Sequence, residues 1–211
     1  TEPEFVEFKN QEQIDIAKIL KNKNTMDRHK FCLHPNAGDE CDKQIINAHS
    51  IQNNQSLSAI AKDGHVYQLA HKYRHQTKTY LEYEKIGIKK ASVFKGFCKK
   101  HDNEIFKPID NAKLEPNPEQ IFLYAYRSLC KEIYQKYKVI HFWEENITLI
   151  SDKDKDELNW YLLGNKKGFE ELLKIKKSYD ETFLKQSFQQ DILYLIFYSE
   201  KPMNIAFSTL L

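Results

Sequence analysis

The chain has 211 residues, 41% hydrophobic and 29% charged, and its net charge is only +2. A chain of this length buries a core without covalent staples, so its four cysteines do not form a disulfide scaffold. No apolar run reaches membrane-spanning length and no signal-peptide pattern opens the sequence, which excludes a membrane partner and predicts a soluble, cytoplasmic protein with reduced thiols.

In chain order, Ile14, Ile16, Ala17, Ile19 and Leu20 recur near helical spacing and predict an amphipathic helix over 10–24. The loop between Cys32 and Cys41 follows, with Pro35 and Gly38 inside it. Residues 43–50 are rich in β-branched side chains and predict a short strand ending in Ala48-His49. Residues 56–61 predict a helical turn, 62–64 a tight turn, 65–70 a second strand and 78–88 a further extended piece. Residues 91–106 read as helical over much of their length, despite Gly96.

Residues 107–120 hold three of the six prolines and no aromatic residue, and they read as a linker. Pro118 suits the first position of a new helix, with Asn117 as its cap. Ile121, Ala125, Leu129 and Ile133 then recur every four residues, predicting a buried stripe. Cys130 lies in that helix without a nearby Cys or His and reads as a core thiol. A second long helix is expected over 166–186, with a solvated face of mixed charge. The closing runs 191–200 and 203–211 flank Lys201-Pro202 and predict a β-hairpin. Two strands alone are marginal, so that edge reads as covered by a protein partner or by further chain.

Charge is uneven. Residues 71–107 carry ten Lys/Arg and four acids, a balance of +6 against −4 for the rest. Such a segment suits contact with phosphates, or it is a solvated lysine-rich surface. Tyr73, Tyr80, Tyr83, Phe94 and Phe97 are interleaved with the charges, as base-stacking groups or as core. His71 and His75 lie within it and read as exposed.

Three cysteines and a histidine form two distant pairs, Cys32-x8-Cys41 and Cys98-x2-His101. Cys3His is a structural zinc set, and a two-residue gap lets Cys98 and His101 reach one ion from a first helical turn. Unpaired thiols or a disulfide are the rival readings. His34 competes for the ligand place, although Pro35 beside it assigns it to the loop. A bound zinc pins 32–41 to 98–101 and makes a compact unit that contains His49, His65 and Asp102.

The order of cysteine pair, strand ending in Ala48-His49, second strand and helix carrying Cys98-x2-His101-Asp102 resembles the zinc-containing HNH endonucleases, whose core is a ββα-metal finger. "NAHSI" (47–51) looks like their strand-end motif, and "FCKKHDNEIF" (97–106) looks like their helix. The resemblance covers 30–106. It implies an α+β fold: a zinc-stabilised ββα-metal core, then a mainly helical region with terminal strands. The expected division is 1–29 N-terminal helical segment, 30–106 core, 107–118 linker and 119–211 mainly helical region. It further implies a metal-dependent endonuclease acting on DNA, in settings that include prokaryotic defence. His49 would be the general base, since an imidazole can take a proton from water near neutral pH. Asp102, a hard oxygen ligand, would hold a catalytic Mg2+ or Mn2+ distinct from the zinc.

The sequence departs from the family at two places. Many members carry an acid or a second histidine before the base, where this chain has Ala48. In the zinc register the family's middle Asn falls on Val93. A shift of one puts Ser92 there and makes His101 the final catalytic histidine, at the expense of the zinc set. Asn103 and His65 are candidates for the missing role, while His65 after Asp63-Gly64 also reads as a turn residue. Likewise His49 reads alternatively as a structural histidine and Asp102 as a surface helix charge. The rival function is a catalytically silent zinc module that binds nucleic acid or a protein. An enzyme using Cys32 or Cys98 as nucleophile conflicts with zinc, which consumes both thiols.

Overall fold

The computed structural model describes residues 6–7, 29–74, 78–150, 152–189, 192–197, 200–201 and 203–208. The helix expected over 10–24 lies outside the described residues. Among the described residues the fold is α+β, with four α-helices and two small antiparallel sheets.

One sheet pairs β1 (Val6–Glu7) with β4 (Lys78–Gly87), and β4 with β3 (His65–Arg74). The β3–β4 register runs from His65↔Gly87 to Arg74↔Lys78. The other sheet pairs β2 (Ala48–His49) with β5 (Val93–Phe94), as Ala48↔Phe94 and His49↔Val93. The strand at 65–70 is therefore not the partner of the Ala48-His49 strand. It pairs along its length with 78–87, and 93–94 takes the place beside β2.

β2 is shorter than the 43–50 expected, because Lys43 turns the chain at φ 60° and Ile45 forms an isolated bridge with Cys98. A π-turn (Asn53–Leu57) leads into α1 (Ser58–Ile60), as expected for 56–61. The helix expected from 91 begins only at Lys99, as α2 (Lys99–Asp110). Phe94 and Phe97 mimic helical spacing, yet 93–94 is a strand and Cys98 is extended, with ψ 159°.

Gly96 explains part of this. A Cβ there would sit 2.6 and 2.8 Å from Phe94 ring carbons and 3.2 Å from Leu33 Cδ1. Leu33 N–H also donates to the Gly96 carbonyl at 2.9 Å, so the backbones lie close together. Gly96→Ala is expected to cost about 1–3 kcal/mol, the usual range for overpacking. A thermal melt showing no loss would contradict this close approach.

α2 runs into the expected linker and stops at Asp110, two residues after Pro108. α3 (Pro118–Asn146) starts with Pro118 in its first turn, and Asn117 Oδ1 accepts from Gln120 N–H at 2.9 Å. Its buried stripe includes Phe122, Leu123, Tyr126, Leu129, Cys130 and Ile133, while Ile121 and Ala125 are only partly buried. Cys130 is fully buried, as expected for a core thiol.

α4 (Asp152–Lys185) starts well before residue 166, with Asp152 and Asp154 in its first turn, where the helix dipole favours them. α3 and α4 are tied by aromatic packing of Phe122 and Tyr126 on Tyr179, and by Tyr126 O–H donating to Asp180 Oδ1 at 2.6 Å. The described parts of the closing runs, 192–197 and 203–208, form no strands, so the expected terminal hairpin is absent among the described residues. Their apolar, β-prone side chains have a strand's composition, but neither described run joins a β-ladder.

One hydrophobic core takes Ala48 and Phe94 from the small sheet, Phe97 from the segment between β5 and α2, Ile105, Phe106 and Ile109 from α2, and Phe122 to Tyr134 from α3. It crosses the expected boundary between 30–106 and 119–211. No described helix is long and apolar enough to cross a membrane.

Candidate metal centre and adjoining cleft

The clamp is assembled before any ion is considered. Ala37 N–H donates to His34 O at 2.9 Å and Cys41 N–H to Gly38 O at 3.1 Å, folding the 32–41 loop back on itself. Gly38 sits at φ 126°, a conformation that other residues rarely adopt. Beyond Cys41, Asp42 Oδ2 accepts from Lys100 N–H at 3.0 Å, and Gln44 O accepts from Lys99 N–H at 2.9 Å. The loop thus satisfies the first amides of α2, which otherwise lack intrahelical partners.

These contacts bring Cys32, Cys41, Cys98 and His101 together, with all four ligand atoms within 4.8 Å of one another. His101 Nδ1 lies 3.4, 3.6 and 3.3 Å from the sulfurs of Cys32, Cys41 and Cys98. A tetrahedron with Zn–S near 2.3 Å and Zn–N near 2.0–2.1 Å has S···N edges of about 3.5 Å. The set can therefore hold a metal such as zinc.

Burial pushes the Cys32 thiol up to about 12, and Cys98 and Cys41 add to the shift against the backbone N–H of Cys98 and of His34. Three thiolates share so small a space only with positive charge between them. Cys98 is the N-cap of α2. His34 is not a ligand. Its Nδ1 accepts from Asn36 N–H at 3.0 Å, and its ring stacks on His101 at 3.8 Å and 7°. Burial, then His101, lowers its pKa to about 4, so it stacks as a neutral ring. His101 Nε2 is buried without a hydrogen-bond partner.

Beside the clamp lies a cleft of about 390 Å³, lined by His49, Asn53, Asp102, Asn103, Lys107 and Asp110 among others. β2 supplies His49 and α2 supplies Asp102, one residue beyond His101 of the cluster. His49 Nε2 donates to Ile88 O at 3.2 Å, which leaves Nδ1 as the ring's acceptor. Asp102 is 9% exposed, and its Oδ1 has no hydrogen-bond partner. Burial raises its pKa to about 6, Arg127 opposes the shift and Asp110 adds to it.

His65 stands apart from the cleft. It is exposed, and its Nδ1 meets Asp63 O at 2.7 Å, so it holds the turn before β3. Of the basic segment, Lys85, Lys89, Lys90, Lys99, Lys100 and Lys107 are exposed, while Phe94 and Phe97 belong to the core. The side chains of residues 71–80, including His71, His75, Tyr73 and Tyr80, lie outside the described set.

Several residues of the region escape sequence reading. Gln52 is 4% exposed, and its amide donates to Ile109 O, Asp110 O and Ala112 O at 2.6, 3.1 and 3.2 Å, closing the end of α2. Arg127 is 2% exposed, donates to Asp110 Oδ1 at 2.7 Å and lies 4.1 Å from the Phe106 ring centre. Its one sequence signal is a charge four residues after Leu123, inside an apolar helix face.

Comparison with protein-family models, curated proteins and solved structures gives no match.

Proposed function

We propose that the chain is a metal-dependent, HNH-like endonuclease that hydrolyses phosphodiester bonds in DNA. The observation that carries this reading is that His49 and Asp102 line one cleft, on the strand and helix that flank the Cys3His cluster. The unit consists of β2 and β5 followed by α2, and the β3–β4 hairpin is inserted between its two strands.

The chemistry follows from the side chains. Ile88 O fixes the His49 ring with its proton on Nε2, so Nδ1 is the atom that takes a proton from an attacking water. The Asp102 carboxylate is the hard-oxygen ligand for a divalent ion. A bound Mg2+ or Mn2+ would supply charge stabilisation at the phosphate and the leaving oxygen. Without a cation, Asp102 and Asp110 would repel a phosphodiester. Lys107, exposed in the cleft lining, adds positive charge where the substrate backbone enters. The lysines of 85–100 extend that field along the same segment.

The test is conversion of supercoiled plasmid by the zinc-loaded chain with Mg2+ or Mn2+, and its arrest by chelator. The second reading, a silent zinc module that binds nucleic acid, is favoured by Ala48 and Val93. Ala48 is buried against the core, and neither side chain can bind an ion or polarise water. Retarded DNA without cleavage in any divalent metal would select that reading.

A further inference from the structure

Folded proteins pair their buried polar atoms with protein groups, water or ions, so two unpaired acceptors that line one cleft call for a donor or a cation there. Among the described residues, the only buried side-chain oxygens without a partner are Asn53 Oδ1 and Asp102 Oδ1. Both residues line the same cleft. They reach it from separate elements: Asp102 from the first turn of α2, Asn53 from the start of the π-turn that follows β2. A carboxylate oxygen and an amide oxygen are both acceptors, and neither satisfies the other. An amide carbonyl with a carboxylate is the donor set of a hard divalent cation. The cleft volume of about 390 Å³ leaves room for an ion that keeps several waters.

We infer that Asn53 Oδ1 is a ligand of a divalent cation held in the cleft together with Asp102 Oδ1. The inference rests on the proposal that Asp102 binds such an ion, and it adds a ligand from outside the strand–strand–helix unit. Asn53 offers the cleft a polar side chain beside His49, a role for which the sequence reading named Asn103 and His65.

Mn2+ binding to the zinc-loaded full chain tests this, followed by the electron paramagnetic resonance signal of free Mn2+. Mn2+ stands lowest among the divalent first-row metals, so it does not displace zinc from thiolates. The wild-type chain binds one Mn2+. Asn53→Ala weakens it about tenfold, Asp102→Asn weakens it about 10–100-fold, and Asn53→Asp, which keeps an oxygen in place, binds at least as tightly as wild type. Zinc content and melting temperature report whether each variant is folded. Wild-type affinity in Asn53→Ala, with loss in Asp102→Asn, overturns the role of Asn53 and leaves that of Asp102 standing. No Mn2+ bound by wild type, or no loss in Asp102→Asn, removes both. Should Asn53→Ala not fold, Asn53→Asp carries the test: binding as weak as that of Asp102→Asn overturns the inference.

Discussion

Cys98→Ser is expected to strip the metal from the chain and to lower the melting temperature by about 10–20 °C. Structural zinc contributes roughly 10–16 kcal/mol of binding free energy at neutral pH, and in such sites this is folding free energy. A domain's net stability is only about 5–15 kcal/mol. Here part of the fold stands on apolar packing, so the expected loss is nearer 5 kcal/mol. At about 2–4 °C per kcal/mol for a chain of this size, that gives the stated shift. Cys98 is the sharpest position because it is fully buried, caps α2 and sits 3.3 Å from His101 Nδ1. Cys130→Ser is the control: that thiol is equally buried in the core but lies outside the cluster, so zinc content stays unchanged. Acid should act in the same direction as Cys98→Ser. Without the ion, Cys32 holds its proton up to about 12, and metal binding must displace that proton. Zinc affinity therefore falls as pH falls, and a zinc release curve that was flat in pH would count against thiolate ligation.

His49→Ala is expected to reduce plasmid cleavage by about 10²–10⁴-fold, the usual contribution of a positioned general base. The fold should barely notice. His49 is half-buried and its one described hydrogen bond is a 3.2 Å contact to Ile88 O, so the loss is about 1 kcal/mol. Zinc content should equal that of wild type, since His49 is not among the four clustered ligands. His65→Ala is the paired control. That side chain is exposed and holds a turn away from the cleft, so its loss should leave the cleavage rate within about twofold, a change too small for a general base. Cleavage that survived His49→Ala, or that fell equally with His65→Ala, would refute the assignment of the base.

How legible the site was depended on range. The four residues of the Cys3His cluster could be read because their chemistry is rare and their spacing short within each pair. Asn117 and Pro118 were readable for the same reason: a cap is a local event. The partner of β2 was not. Residues 65–70 have a strand's composition, and nothing local reveals that 82–87 claims them through six cross-strand pairs. The start of α2 was misread because Phe94 and Phe97 are buried for the sheet and the core, at a spacing that also suits a helix face. The closing apolar runs show the same limit, since β-prone composition predicts a strand only where a neighbouring strand pairs with it.

The cleft was half legible. His49 and Asp102 were singled out by their places in the sequence, whereas Asn53, Asp110 and Arg127 were not, because tertiary contacts alone bring them to this region. Arg127 lies on α3, outside the strand–strand–helix unit, yet its guanidinium reaches Asp110 on the cleft wall. The helical region is therefore part of the site's support, through one charge that a helical stripe reading passes over.

The central claim is that Cys32, Cys41, Cys98 and His101 hold one zinc that fixes β2 and α2 around the cleft. Zinc K-edge absorption on the purified, reduced protein, with native mass spectrometry for stoichiometry, tests it most directly. The prediction is one zinc per chain, with three sulfur neighbours near 2.3 Å and one nitrogen near 2.0–2.1 Å. Zinc-supplied protein that contained none, or that carried a disulfide between Cys32 and Cys41, would contradict the account.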